Sequence, residues 1–462
     1  MERRISRSLP WRRRPFPELV RLAWPIAIST VSYSVMTLVG TLFVGRLGAA
    51  ALAGVGLGGV ACFTLLCFGF GALRGVNVLV SQAHGAGDPE RAGTWLWTGL
   101  ALALGLGVVM LGAGQLLASQ IHRLASSAAA GAHAADYVAV RMLGAPLVMI
   151  FVAVREHRYG QGDTRSAMVA AVAGNVANML LDWLLIVELE VGVIGAAWAT
   201  VGGLIIEVLV VAWVQARDDW RPRPVRLEDL RALLAVGLPT GLQFWMEVGS
   251  FALLTAIVAS LGDQELAAHQ IALQVAHFSF LPAMSLGEAG SVLAGQAVGA
   301  GEVRLVRRVA RIGLVGALAY TGICTVVLVA GAGLIASAFT SDPSLVATTR
   351  SLLWMAALFQ MADGAAVVAR GVLRGTGDVR YPAMIGIGCA WVCTPPLTWL
   401  LGRMMGLGAL GGWVGLSLEI TAVAALYWWR LERGGWLASA RESRARLRAS
   451  ERAAQPALAA AV

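Results

Sequence analysis

The sequence predicts an all-α membrane protein, with about twelve transmembrane helices arranged as two parallel six-helix halves. Three observations predict this fold: an apolar composition, a one-sided distribution of arginine, and a duplication with a fixed offset. Of 462 residues, 58% are hydrophobic and only 14% charged, and the mean hydropathy is +0.71. A soluble chain carries about a quarter of its residues as charges. Windows such as Leu22–Gly45, Leu96–Ser119, Met168–Val187, Gly192–Val214 and Gly313–Ala338 each reach the roughly 20 apolar residues that cross the hydrocarbon core as a helix. With the weaker windows they make about twelve spans.

Arginine sets the expected topology. Lysine is absent, so all 36 basic residues are arginines. Arg3, Arg4, Arg7, Arg12, Arg13 and Arg14 precede the first span, and Arg155, Arg158 and Arg165 follow the fourth. Arg217, Arg221, Arg223, Arg226 and Arg231 follow the sixth, Arg304, Arg307, Arg308 and Arg311 the eighth, and Arg370, Arg374 and Arg380 the tenth. The opposite loops hold little beyond Arg46, Arg123, Arg350 and Arg403. By the positive-inside rule both termini lie in the cytoplasm. The net charge of +9 is therefore a topology signal, and nucleic acid is not an expected partner. RRRPF at Arg12–Phe16 is similar to a twin-arginine export signal, but the long apolar segment after it lacks an A-x-A site and reads as an uncleaved first span. Cys62, Cys67, Cys324, Cys389 and Cys393 all fall in apolar spans and suggest neither a disulfide framework nor a metal site.

The duplication is visible residue by residue. GAGDPERAG at Gly85 and GAGEVRLVR at Gly299 follow Gln82 and Gln296, 214 residues apart. The same offset pairs Pro25 with Pro239, Leu47-Gly48 with Leu261-Gly262, and Leu52-Ala53 with Leu266-Ala267. One residue further out of step, Gly160-Gln161-Gly162-Asp163 matches Gly375-Thr376-Gly377-Asp378, and Trp198 matches Trp413. The expected organisation is an arginine-rich segment 1–18, a first lobe 19–216, a linker 217–231, a second lobe 232–431 and a cytoplasmic tail 432–462. An even number of spans per half makes the halves parallel, related by an axis along the membrane normal.

Polar residues inside the spans are the candidate site. A charged side chain at the bilayer centre costs at least about 2.5–3.5 kcal/mol, which asks for a partner or a purpose. Asn175, Asn178 and Asp182 fall on one face of the fifth span. Their oxygens can bind a proton or small cation, or hold helices together. Glu247 lies mid-span in the seventh helix, Asp363 in the tenth and Glu288 in the eighth. Glu288 has two readings, a cleft acid or a helix-packing hydrogen bond. Tyr33, Phe244, Trp245, Phe278, Phe280 and Phe359 lie near these acids and either stack on flat cations or simply pack.

The segments LAWPI (Leu22–Ile26), FVGRLGAAALAGV (Phe43–Val55), SQAHGAGD (Ser81–Asp88), LGDQELAAHQIAL (Leu261–Leu273), GQAVGAG (Gly295–Gly301) and GVLRGTGDVRYP (Gly371–Pro382) resemble the multidrug and toxic compound extrusion (MATE) family, from about Leu19 to Trp429. The resemblance implies a twelve-helix exporter whose two six-helix lobes form a V-shaped central cleft. It implies a secondary active antiporter, not an enzyme, that exports cationic or lipophilic small molecules in exchange for protons or sodium ions, as a monomer without cofactor in the bacterial inner membrane. Asp182, Asn178 and Thr200 match the family's amino-terminal cation site, which is also the place for a sodium ion. Glu247 and Asp363 match the acids of its carboxy-terminal site. Gly40 stands where many relatives carry an aspartate, which weakens a sodium site and favours the proton as coupling ion.

Other classes fit less well. A major-facilitator carrier has two parallel six-helix halves but a basic loop signature that Gly85–Arg91 lacks. A lipid-linked precursor flippase calls for more cationic side chains in the central cleft than Arg74 and Arg141 provide. A prenyl transferase needs clustered aspartates, and every acid in these spans is isolated. A receptor or scaffold is separated from all carriers by dye counterflow in liposomes.

Overall fold

The computed structural model describes residues 9–125, 127–218 and 220–459, the last ten of these by backbone alone. Among the described residues the chain is helical and has no strand. In chain order, α1 (Pro15–Gly45), α2 (Ala49–Ala86), α3 (Pro89–Gln120), α4 (Ala128–Leu143), α5 (Ala145–Gln161), α6 (Arg165–Asp182) and α7 (Val193–Asp218) come from the first half of the sequence. The second half supplies α8 (Leu227–Ala259), α9 (Asp263–Ala300), α10 (Val303–Phe339), α11 (Pro343–Gly375), α12 (Arg380–Leu397) and α13 (Ala409–Arg433), followed by α14 (Leu437–Ala459).

Ten of these elements are long and apolar enough to cross a membrane, and α4 and α5, bent by 47° at Gly144, make an eleventh as one broken span. The 38-residue α9 falls outside that set because His269, Gln270, Gln274 and His277 dilute its apolar run. Counting α9 gives the expected twelve.

The duplication is written into the backbone. Gly48 and Gly262 both take positive φ ahead of α2 and α9, Gly87 and Gly301 do so after them, and Gly162 and Gly377 follow α5 and α11. A side chain is strained in this conformation, so the turns require glycine at matching places. The π turns that extend α6 and α12, Trp183–Glu188 and Thr398–Met404, also recur at the longer offset.

The chain divides into two compact units. One comprises Pro25–Val80 and Pro89–Trp245; the other comprises Met1–Trp24, Ser81–Asp88 and Met246–Val462. In the first, α6 and α7 run antiparallel in close register. A methyl group at Gly203 would lie 2.9 Å from Asn178 Cβ, and one at Gly174 only 2.7 Å from the Gly203 carbonyl oxygen. In the second, α9 and α11 approach through Gly287, Ser291, Gly371 and Gly375. A methyl at Gly371 would fall 2.0 Å from the Gly287 carbonyl oxygen, and one at Gly375 2.1 Å from that of Ser291. Small residues that let helix backbones touch are how membrane bundles gain packing where lipid offers no hydrophobic drive. Trp413 anchors the same unit, fully buried against Phe359, with its indole N–H donating to His269 Nδ1 over 3.1 Å.

The arginine assignment needs correction at two places. Arg155 and Arg158 do not follow a span but lie within α5, and Arg370 and Arg374 lie within α11. All four meet acids there: Glu156, Asp163 with Asp218, Glu247 and Glu288 respectively. Pairing lets them sit inside a helix whose composition alone would have expelled them.

Candidate functional site

In the first unit the polar face of α6 divides into separate tasks. Asn175 donates from Nδ2 to the Ser32 hydroxyl of α1 at 3.0 Å, which is interhelical glue. Asn178 packs on Gly203 of α7. Asp182 is 3% exposed, and among the described residues its carboxylate has neither a hydrogen-bond donor nor a cation partner. Its neighbour on α1 is Gly40, where a methyl would stand 3.2 Å from Oδ2, so the glycine leaves space beside the carboxylate. Thr200 does not bond to Asp182. Its hydroxyl donates to the Ala196 carbonyl at 3.0 Å and lies against the Tyr137 phenol.

In the second unit the acids gather around two arginines of α11. Arg370 Nη1 donates to both carboxylate oxygens of Glu247, at 3.0 and 3.2 Å. Asp363, two turns earlier on α11, lies within electrostatic range of both Arg370 and Glu247 but makes no hydrogen bond or ion pair of its own among the described residues. Glu419 of α13 is 8% exposed, accepts from the Thr394 hydroxyl of α12, and feels Glu247 and Asp363. One turn beyond Arg370, Arg374 donates to Glu288 of α9 at 2.6 Å, with both side chains nearly buried. Glu288 thus ties α9 to α11. Glu247 and Asp363 face Arg370, and Glu419 faces the two acids, so the group holds more carboxylates than guanidinium partners, the electrostatic condition for competition between a proton and a cation.

The aromatic candidates divide by exposure. Tyr33 is 53% exposed and Phe278 42%. Trp245 is similarly open and Phe280 is half-buried. Phe244 stacks edge-on to Phe63, with the Arg74 guanidinium 5.5 Å from its ring centroid. Phe359 sits in the core against Trp413.

Sequence reasoning missed Arg370 and Arg374 as site residues, and Glu419 and Glu207 altogether. The first two carried a usable signal: Arg370 and Arg374 stand five and one residues before Gly375, one helical turn apart on the run that leads up to the glycine-rich turn, and so belong to the helix and not to the loop. Glu419 and Glu207 are single acids in the last spans of their halves, and the same rule about intramembrane charge applies to them.

The family model MatE matches residues 25–184 and 239–400, two segments that start on the duplicated prolines. A probable multidrug resistance protein NorM from Deinococcus radiodurans is 31% identical over 424 residues, 87% of this chain and 92% of that protein. A protein of the same description from Pseudomonas syringae pv. tomato is 30% identical over 447 residues, 88% of this chain and 93% of its own length. Among solved structures, the eukaryotic MATE transporter AtDTX14 superposes with a TM-score of 0.87 at 18% identity, covering 94% of this chain and 99% of that one. An outward-facing multidrug resistance MATE family transporter gives 0.84 at 23% identity, covering 93% and 96%.

Proposed function

The chain belongs to the MATE family of multidrug efflux transporters, integral to the membrane, and from that premise we propose that it exchanges cationic or lipophilic small molecules for protons by alternating access. The observation that carries the reading is Asp182, a buried carboxylate with no bonded partner among the described residues and glycine beside it. Such a group holds a proton or the field that attracts a cation, and the two compete. That competition is the antiport. Proton arrival from outside neutralises the acid and releases substrate outward; proton loss to the cytoplasm restores affinity. Each inward charge supplies about 2.3 kcal/mol per 100 mV, enough to sustain about a fortyfold concentration ratio if fully coupled.

Asp363 and Glu419 serve the same exchange in the second half, with Arg370 holding Glu247 in place. Sodium is the weaker coupling candidate. It needs several oxygen ligands, and Gly40 offers none from α1. A flippase for anionic lipid-linked precursors is disfavoured because Arg370 and Arg374 are each paired with a glutamate. We place the monomer in the bacterial inner membrane with both termini cytoplasmic, following the arginine distribution.

The test is ethidium export from vesicles under imposed pH or sodium gradients, one at a time. Export follows the pH gradient in the wild type, and Asp182→Asn, which keeps size and hydrogen bonding, flattens its pH dependence. Glu247→Gln and Asp363→Asn abolish export. Sodium-driven export that persists with the pH gradient collapsed overturns proton coupling. A pH curve for Asp182→Asn superimposable on the wild type removes Asp182 from it.

A further inference from the structure

Glu207 is an acid in the middle of α7, in the apolar run GLIIEVLVV, and the exchange described above leaves it without a task. Its place is built. α6 presents Gly174 to it, and a methyl there would lie 2.1 Å from Glu207 Cγ and 2.7 Å from the Gly203 carbonyl, so the side chain occupies a notch that only glycine leaves open. Among the described residues the Glu207 carboxylate accepts no hydrogen bond. The charged groups facing it are Arg141 from α4 and Arg155 from α5. Arg155 also pairs with Glu156 at 2.9 Å, whereas Arg141 Nη1 is buried without a hydrogen-bond partner among the described residues. From α6 the facing residues are Gly174 and Asn178, with Asp182 one turn beyond Asn178.

These positions form a polar seam along one unit. It starts at Asp182, Asn178, Thr200 and Tyr137, passes Glu207 and Arg141, and reaches Arg155. It ends in the network where Arg158 of α5 donates to Asp163, Asp218 and Gln215. The far end carries the arginine-rich loops, the cytoplasmic side by their distribution.

We infer that Glu207 is a proton relay between Asp182 and the cytoplasm, seated in the Gly174 notch of the α6–α7 seam. Gly174 lies eight residues before Asp182, so the two carboxyl groups are about 12 Å apart along the helix, too far for a direct hop. Water carries the step. The carboxyl of Asp182 gives its proton to water, water gives one to the Glu207 carboxylate, and the Glu207 carboxyl gives it to water at the arginine-rich end. No other bond changes.

The inference rests on Asp182 as the coupling acid, and the experiment separates the two. Vesicles with a trapped pH dye report the proton flux that ethidium evokes. Asp182→Asn loses the flux. Glu207→Gln, similar in size but unable to ionise, slows it at least tenfold, and Glu207→Asp, one methylene shorter but ionisable, falls between. Flux at the wild-type rate in Glu207→Gln while Asp182→Asn has lost it overturns the relay and leaves the coupling acid standing. Wild-type flux in Asp182→Asn overturns the coupling reading itself. Equal slowing in Glu207→Asp and Glu207→Gln assigns Glu207 to packing and overturns the relay. If Glu207→Gln does not fold, Glu207→Asp decides: a slowed flux with a displaced pH profile supports the relay, and a superimposable one overturns it.

Discussion

Replacing Glu288 by glutamine separates its two sequence readings, cleft acid and helix tie. Arg374 Nη2 lies 2.6 Å from the carboxylate, and the two side chains are 6% and 10% exposed. Water screens such a pair little, and Arg374 Nε already lacks an acceptor. Glu288→Gln therefore leaves a buried guanidinium with no counter-charge, and removing one partner of a buried pair costs about 3–5 kcal/mol. At 1.4 kcal/mol per tenfold, that is a loss of about a hundredfold to several thousandfold in the folding equilibrium. Replacing both residues by apolar ones of similar volume, Glu288→Leu with Arg374→Met, removes the orphan charge and returns stability close to wild type. Unfolding midpoints in mixed detergent micelles measure the first quantity, and ethidium export measures what remains of function. An unchanged midpoint for Glu288→Gln refutes the helix tie. A double variant that is stable but no longer exports makes Glu288 a cleft acid as well.

Three further outcomes follow from the geometry. Gly40→Asp sets a second carboxylate beside Asp182, where even a methyl would be 3.2 Å from Oδ2, and is expected to make export respond to sodium at fixed pH; an unchanged sodium response counts against the glycine as the reason for proton preference. Gly371→Val cannot be accommodated, because its Cβ would lie 2.0 Å from the Gly287 carbonyl oxygen, and the protein should fail to accumulate in the membrane, as immunoblotting of membrane fractions would detect. At the α5–α6 turn, burial pushes the Asp163 carboxyl up, but the Ser166 hydroxyl and backbone N–H and the Arg158 guanidinium outweigh it and hold the group below the usual range. A depressed value in the folded state adds stability that is present above the ordinary aspartate value of about 3.9 and lost as pH falls through the folded one. Asp163→Asn should thus lower the unfolding midpoint at pH 7 and make progressively less difference as the pH is taken through the acid range; a deficit that persists undiminished in acid would contradict this.

What the sequence made legible was local or repeated. Pro25 and Pro239, and the glycine pairs 48 and 262, 87 and 301, and 162 and 377, were visible because each turn needs its own residue type and the need occurs twice. The apolar windows gave the helices for a similar reason: span length is a property of contiguous residues. Pairings across the bundle were not legible. Arg370 and Arg374 counted as loop charges because their acids lie 123 and 86 residues away, and nothing in VARGVLRG names Glu247 or Glu288. Thr200 was expected beside Asp182, yet its hydroxyl turns back to the Ala196 carbonyl, a choice of rotamer that spacing does not determine. Glu207 was passed over because a lone acid in a long apolar run leaves hydropathy almost unchanged, and the notch that seats it belongs to another helix.

The two halves share a backbone plan but not a chemistry. At the offsets that align the halves, Glu247 corresponds to Tyr33, Asp363 to Val148 and Glu419 to Leu204, while Asp182 corresponds to Leu397 and Glu207 to Ala422. No acid inside a span has an acidic counterpart, although the turn glycines and π turns do correspond. The duplication therefore supplied the scaffold, and the charges were placed in each half separately. Their placements differ in kind. In the second half Glu247 and Asp363 converge on Arg370 and Glu419 faces both acids, so adding or removing a proton at Asp363 changes the charge balance of a group fixed between α8, α11 and α13. In the first half Asp182 and Glu207 are spread along one seam, with no arginine bonded to either among the described residues. A clustered site is suited to holding a cation against a proton, and a drawn-out one to moving a proton along. On this division the second half sets what is carried and the first sets how fast coupling runs, so Glu247→Asp, which keeps a carboxylate but draws it back by one methylene from Arg370, should change apparent ethidium affinity where Glu207→Gln changes rate, a distinction that initial-rate export over a range of ethidium concentrations reads directly.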